Sequence, residues 1–454
     1  MPRISSTEAD QAYQLLLRDI GVQAIPTAGM TRIEVAFPPV EPLAWLSSQH
    51  ASCGRYYWRD RAGYFEMAGI SESDIVAAED AHTPPGMLIK RLRTQLAGYD
   101  SDFRYYGGFR FHSRSIARGR WRDFKAYRFV LPLLELRRSN GQYTLACNLT
   151  ANQDRQQVLR LLHEVSFAPC SGTIPALPHF GDREDAPRFE EWTALVADAL
   201  AAIEGEAFEK VVLARQSTFH GDGPIAPFAL LQRLAVADPK AFHFCFAPTA
   251  SRAFLGASPE QLYKRSGKAI FTEALAGTRP RGETPEADAA LEQELLHSAK
   301  ENAEHKYVVD AVYAALPRFC YIIQAPYSPT VMKLARCQHL HTPITGTLSA
   351  GADDSMLLET LHPTPAVGGT PKEAALRWIL ENEPFERGIY AAPAGWVGTT
   401  DAEFCVAIRS GLVRDNTLSL YSGAGIVTGA DAADEWRELD AKLANFLDVI
   451  MKDH

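Results

Sequence analysis

The sequence predicts an α+β fold, a sheet sandwich flanked by helices, built from the 454 residues as one large domain or two intimately packed halves. Three observations predict it. Strand-like stretches occur in both halves of the chain. Helical periodicity lies between them without the strict alternation of a βαβ array. No Pro/Ser/Gly-rich linker, charge block or internal repeat divides the sequence.

Taken in order, residues 8–20 read as a short amphipathic helix, and 31–150 are mostly strand. TRIEVAFP, GRYYWRD, YFEMAGI, FRYYGGFRFH, YRFVLPLLELRR and YTLACNLT alternate or run apolar between turn signals. Helical segments are expected at 154–164 and 188–205. EKVVLARQSTF, FHFCFAP, RAFLGASPEQLYKR and KAIFTEALAGTRP then supply four strands with short connections. Thr284 offers an N-cap and Pro285 a first helical residue, so one long helix is expected from there to Pro317. MKLARCQHLHTPITGTLSA and the run from Gly395 to Gly429 are strand and hairpin material around a helix at 371–382. A last helix spans 431–451.

Bulk properties exclude several functions. Net charge is −9 with no Lys/Arg-rich run, so the footprint of a nucleic-acid or anionic-membrane binder is missing and an anionic ligand must be met locally. Cys53, Cys147, Cys170, Cys245, Cys320, Cys337 and Cys405 are odd in number and lack CxxC spacing, which fits reduced thiols better than disulfides or a zinc knuckle. MPRISSTEADQAYQLLLRDIG has no apolar core of signal-peptide length, and no apolar run of about 20 residues occurs. A cytoplasmic protein without a membrane anchor is expected.

Four constellations can carry chemistry. In LLHSAKENAEHKYVVD, Glu301 and Glu304 are three apart, so on a helix both carboxylates leave one face. The H-E-x-x-H order of a zinc helix is absent, and a carboxylate-rich site suits Mg²⁺; a solvated stripe matched by Lys300 and Lys306 is the plainer reading. The last helix repeats the pattern with Glu435, Glu438 and Lys442, one residue round from the apolar stripe of Trp436, Leu439 and Leu443. Glu438 and Lys442 equally suit an ordinary i, i+4 surface pair. Lys210 heads an apolar strand, where a lysine either snorkels or has its pKa lowered enough to act as a base. Glu260 follows Ser-Pro at a bend, either as a surface turn residue or as a fixed acid. The glycine-rich pieces LAGTRPRG, PAVGG and YSGAGIVTG let a backbone approach a small anion, but none has phosphate-loop or dinucleotide spacing. Arg409, expected in the strand before the last hairpin, is either a carboxylate clamp or a strand-end ion-pair partner.

Together FEKVVLAR, FLGASPEQL, EALAGTRPRG, LLHSAKENAEH, LHPTPAVGG, RGIYAAPAGWVG, EFCVAIRSGLV and YSGAGIVTGADAADEW resemble the chorismate-utilising enzymes, in family order from about residue 205 to the end. Among these the closest likeness is to the isochorismate synthases of menaquinone and plant type. Residues 1–180 are less diagnostic, and 190–454 would form the chorismate-binding region of a single domain 1–454. The resemblance implies the fold of anthranilate synthase component I and aminodeoxychorismate synthase. It implies Glu304 and Glu438 as Mg²⁺ ligands with Glu301 and Glu435 beside them, and Arg409 and Lys442 on substrate carboxylates. Gly277, Thr278, Tyr390, Gly423 and Gly425 would line the pocket. Lys210 would be the base that activates water at ring C2, and Glu260 the acid at the C4 hydroxyl.

Aminodeoxychorismate synthases resembling this chain carry a lysine where Ala276 stands, and anthranilate synthases a glutamine where Lys210 stands, so amination is disfavoured. No obligatory glutamine amidotransferase subunit is then expected. Salicylate synthases, which expel pyruvate from isochorismate, are the rival reading. A non-catalytic metabolite-binding relative is the reading from another class.

Overall fold

The strand Tyr127–Ser139 organises the sheet. One of its edges pairs along its whole length with Phe65–Ala78. Its other edge pairs first with Arg104–Phe109 and then with Gln142–Thr150. It therefore belongs to two half-sheets at once. The computed structural model describes residues 6–23, 25–49, 53–78, 85–99, 102–112, 119–151, 153–167 and 173–451.

One half-sheet runs from Met30–Ala36 through Gln142–Thr150, Tyr127–Ser139, Phe65–Ala78, Arg55–Arg59, Phe242–Thr249, Arg252–Ser258, Ser410–Arg414 and Thr417–Ile426 to Lys210–Gly221. The other runs from Arg104–Phe109 through Pro393–Gly398, Asp401–Val406, Gln261–Ser266 and Ala269–Pro280 to Cys337–Leu348. These pairings are antiparallel, so short turns join many of the neighbours.

The two halves face each other across a core that brings Trp58, Phe244, Phe254 and Leu213 of the first together with Phe404, Ile270 and Ile344 of the second. A second core covers the outer face of the first half under the helices Ser6–Val22, Pro42–Ser48, Arg155–His163 and Pro227–Ala237, together with Leu443, Phe446 and Ile450 of the C-terminal helix. The expected α+β sandwich with flanking helices is the fold observed. Among the described residues no helix is long and apolar enough to cross a membrane.

Local departures have local causes. The expected long helix is two, Pro285–His297 and Ala299–Ala315, because Ser298 leaves helical geometry (φ −70°, ψ 116°) and its hydroxyl accepts the Glu301 N–H as N-cap of the second. RAFLGASPEQLYKR is not one strand but two, broken at Pro259–Glu260. Arg409 is not in a strand. It sits in the bend between Asp401–Val406 and Ser410–Arg414 at φ 50°. Four helices, Pro42–Ser48, Pro85–Leu96, Pro227–Ala237 and Asp354–Leu361, go unpredicted. Cys170 and the His50–Ser52 part of WLSSQHASCG lie outside the described residues.

Candidate active site

Lys210 opens the strand Lys210–Gly221 and is 1% exposed. Its main chain is fixed by the segment after Leu361. Thr370 and Gly369 pair with Lys210 and Val211, and the Glu209 N–H donates to the Thr370 carbonyl at 2.7 Å. Gly369 has φ 144°, and a Cβ there would lie 2.2 Å from the Lys210 carbonyl oxygen, so only glycine allows this closure. Lys210 Nζ donates to Glu304 Oε1 at 3.0 Å. Gly425 lies against it: a Cβ at 425 would stand 3.0 Å from Lys210 Cε and 3.4 Å from Nζ.

Glu260 is 4% exposed, in the break between two strands. Burial, and after it the charge of Glu273, pushes its carboxyl up to about 8; Thr364, Lys210 and Lys442 pull the other way. It is therefore protonated at neutral pH. Thr364 Oγ1 donates to its Oε1 at 3.5 Å, and its carbonyl accepts the Val406 N–H at 3.0 Å.

The carboxylates expected on two helices do meet at one wall. Glu301 and Glu304 share a face of Ala299–Ala315, while Glu435 and Glu438 come from Ala432–Met451. Burial raises the Glu304 carboxyl, but Lys210 and Lys442 outweigh it and leave it below the usual value. Lys442, 2.5 Å away, is the main cause that lowers Glu438. Glu435 is pushed up to about 7 by burial and by Glu438. Glu301 is turned aside, held by Arg279 Nη1 at 2.7 Å and the Thr278 N–H at 3.1 Å.

At the far end, Lys442 Nζ also donates to the Gly423 carbonyl at 2.8 Å, and Arg409 Nη1 to the Lys442 carbonyl at 2.7 Å. The Tyr390 ring stacks on Tyr421 with centroids 5.3 Å apart, and its hydroxyl lies where a Cβ on Gly423 would meet it at 2.9 Å. Gly277 forms a bulge at φ 76° in the strand Ala269–Pro280, packed against Glu301. The Thr278 hydroxyl is shared with His339 Nδ1 at 3.0 Å. Burial, followed by the Arg409 charge, lowers His339 to about 3, so the ring is neutral.

A cavity of about 710 Å³, a size that suits a small organic ligand, joins these groups. Glu260, Gly277, Thr278, Glu301, Glu304, Tyr390, Arg409, Gly423, Gly425, Glu435, Glu438 and Lys442 line it, and Lys210 lies just behind Glu304 and Gly425. Among the described residues no three His, Cys, Asp or Glu side chains converge as a preformed metal site. The donor chemistry nevertheless suits a hard divalent cation. It is all carboxylate, and Glu435 is raised in part by Glu438 and Glu304, a repulsion that added positive charge relieves. His297, whose Nδ1 meets the Gln293 carbonyl at 2.7 Å, and His305, bonded to Thr342 at 2.8 Å, face other partners.

Sequence reasoning misses Thr364, His339 and Glu273. Glu273 carried a signal, a charge inside the apolar strand KAIFTEALAG.

Residues 18–451 match the family described as chorismate binding enzyme. The chloroplastic isochorismate synthase of Catharanthus roseus is 33% identical over 360 residues, which is 76% of this chain and 62% of that protein, so the match spans less than two thirds of the plant enzyme. The structure of MenF, the menaquinone-specific isochorismate synthase of Escherichia coli, superposes with TM-score 0.87 at 30% identity over 98% of this chain and 100% of that one. Anthranilate synthase component I of Streptococcus pneumoniae shares the fold, with TM-score 0.69 at 19% identity over 94% of this chain and 93% of that one.

Proposed function

The chain belongs to the chorismate-binding enzymes, and from that premise we propose that it is an isochorismate synthase, an isomerase that moves a hydroxyl from C4 to C2 of chorismate. The observation that carries this reading is an acid–base pair at one cavity: Glu260, kept protonated at neutral pH, and Lys210, a buried lysine.

Chorismate brings two carboxylates to a protein of net charge −9, so cations have to be gathered where it binds. Arg409 and Lys442 are that pair. Tyr390, Gly423, Gly425, Gly277 and Thr278 shape the pocket around the ring. Lys210 takes a proton from the water that attacks C2, while Glu260 gives its proton to the C4 oxygen, which leaves as water. One water is consumed and one released, with no redox change and no covalent intermediate. Glu260 suits the donor role because a carboxyl near 8 is loaded at neutral pH. A Mg²⁺ on Glu304 and Glu438, with Glu301 and Glu435 beside them, would add positive charge for a substrate carboxylate.

The amination reactions of the family do not suit these positions. Ala276 offers no amine for covalent addition, and no ammonia is used, so the chain needs no amidotransferase subunit. The test is product separation after incubation with chorismate and Mg²⁺. Isochorismate as the product supports the proposal. Salicylate with pyruvate, an aminated product, or no turnover would overturn it.

A further inference from the structure

Glu260 stands in a break between strands, its carbonyl held by the Val406 N–H and its own N–H by Ser258 Oγ at 3.3 Å. Pro259 and Glu260 fall between Arg252–Ser258 and Gln261–Ser266, and the register with Asp401–Val406 slips just beyond, between Gln261 and Tyr263. A proton donor must nonetheless be held to within about 0.5 Å of its working position. Further support, on the flanking peptide groups, comes from a buried carboxylate on another strand. Glu273, 7% exposed, accepts the Gln261 N–H at 2.8 Å and Arg61 Nη1 at 2.8 Å on Oε1. Its Oε2 accepts Arg61 Nη2 at 2.7 Å and meets His341 Nε2 at 2.9 Å. The same Arg61 Nη1 donates to the Pro259 carbonyl at 2.6 Å. The peptide groups on both sides of Glu260 are thus tied to one guanidinium–carboxylate fork. Arg61 delivers it from the turn between Arg55–Arg59 and Phe65–Ala78.

We propose that Glu273 and Arg61 form a clamp that positions Glu260, with His341 filling the remaining carboxylate oxygen. The inference rests on Glu260 being the proton donor assigned above. A buried ion pair needs further hydrogen bonds to satisfy its remaining donors and acceptors. Here two of them fall on the main chain flanking a single residue, on either side of Glu260. It also sets the local field. His341 and Arg61 outweigh burial and hold Glu273 at about 2, so it stays ionised. Its negative charge opposes ionisation of Glu260, against Lys210 and Lys442. Tyr390 and Cys405, the other titratable groups facing Glu260, are raised by burial and remain neutral.

The test uses Arg61→Ala, Arg61→Lys and Glu273→Gln in the full chain, with kcat and KM for chorismate across pH, thermal midpoints, and carboxyl NMR of glutamate-labelled protein. The Glu260 resonance is identified by its loss in Glu260→Gln. Arg61→Ala should lower kcat about tenfold or more with KM nearly unchanged, as a small misplacement of a reacting group does. Arg61→Lys, which restores charge without the fork, should recover part of that loss. Glu273→Gln should move both the alkaline limb of kcat and the Glu260 carboxyl titration down by about one pH unit, the effect of removing a nearby like charge. The titration needs no substrate. If chorismate is not turned over, the functional proposal fails while the clamp is still judged by the carboxyl shift. The clamp is overturned if the variants keep kcat, limb and titration, whether or not their thermal midpoints fall. If Arg61→Ala does not fold, Arg61→Lys and Glu273→Gln decide.

Discussion

Replacing Glu260 with glutamine should make the protein inactive and, at alkaline pH, more stable. A glutamate free in the unfolded chain titrates near 4.5, whereas the folded site holds its proton up to about 8. Between those values the folded state binds a proton that the unfolded state has released. The contribution to stability is therefore fully present below 4.5 and is lost as pH rises through about 8. At 1.36 kcal/mol for each tenfold change in proton affinity, the loss is roughly 4–5 kcal/mol once the pH exceeds 8. Glutamine has nearly the same shape and no proton to lose. Its advantage over the parent should grow by about that amount between pH 5 and pH 9, which in a chain of this size is several degrees of thermal midpoint. Unfolding followed by fluorescence or calorimetry on both proteins at pH 5, 7 and 9 reads the gap directly. A gap of constant size would refute the reasoning, since it would mean that Glu260 is not held protonated by the fold. In the parent enzyme, kcat should fall as pH rises past about 8, where the donor is empty.

Lys210→Ala should reduce turnover by about 10²–10⁴ while chorismate still binds in calorimetry, because the base is lost and the carboxylate-holding groups remain. Gly425→Ala places a methyl 3.0 Å from Lys210 Cε and 3.4 Å from Nζ, so the lysine has to shift. It should cost about 1–3 kcal/mol of stability, seen as a lower thermal midpoint, and roughly tenfold in kcat with a smaller effect on KM. Chelation by EDTA should abolish turnover, and Mg²⁺ should restore it. Glu438→Gln should raise the Mg²⁺ concentration needed for half-restoration, measured by titration under saturating chorismate.

Much of the fold was legible because antiparallel strands and amphipathic helices leave periodic traces, as in YRFVLPLLELRR and the 431–451 segment. The failures share a physical origin. Ser298 ends one helix and caps the next, and a continuous acidic pattern across both masks a break that costs only one residue. The strand break at Pro259–Glu260 is hidden because both flanks are strand-like. The helix Pro227–Ala237 carried a start signal, Pro at its first turn, but its Leu-rich buried length resembles a core strand. The glutamates of the cavity wall could be named from local spacing and family likeness. The clamp could not, because Arg61, Glu273 and His341 have no spacing in common: sheet pairing joins the strands of Glu273 and His341, and a distant turn brings Arg61 to them.

The connection from Leu361 to Thr370 has a further consequence. Connecting segments ordinarily run over the surface and tolerate changes in length. Here Pro363, Thr364, Val367, Gly368 and Gly369 are buried, and the carbonyls of Val367, Gly368 and Thr370 are taken by Arg387, Val212 and Glu209. Thr364 reaches the acid and Thr370 the base, so the seven residues from Thr364 to Thr370 set how far apart proton delivery and proton removal occur. Across descendants of this chain, substitutions should accumulate in many loops, but insertions and deletions should be purged from this one, its length acting as a ruler for the reaction.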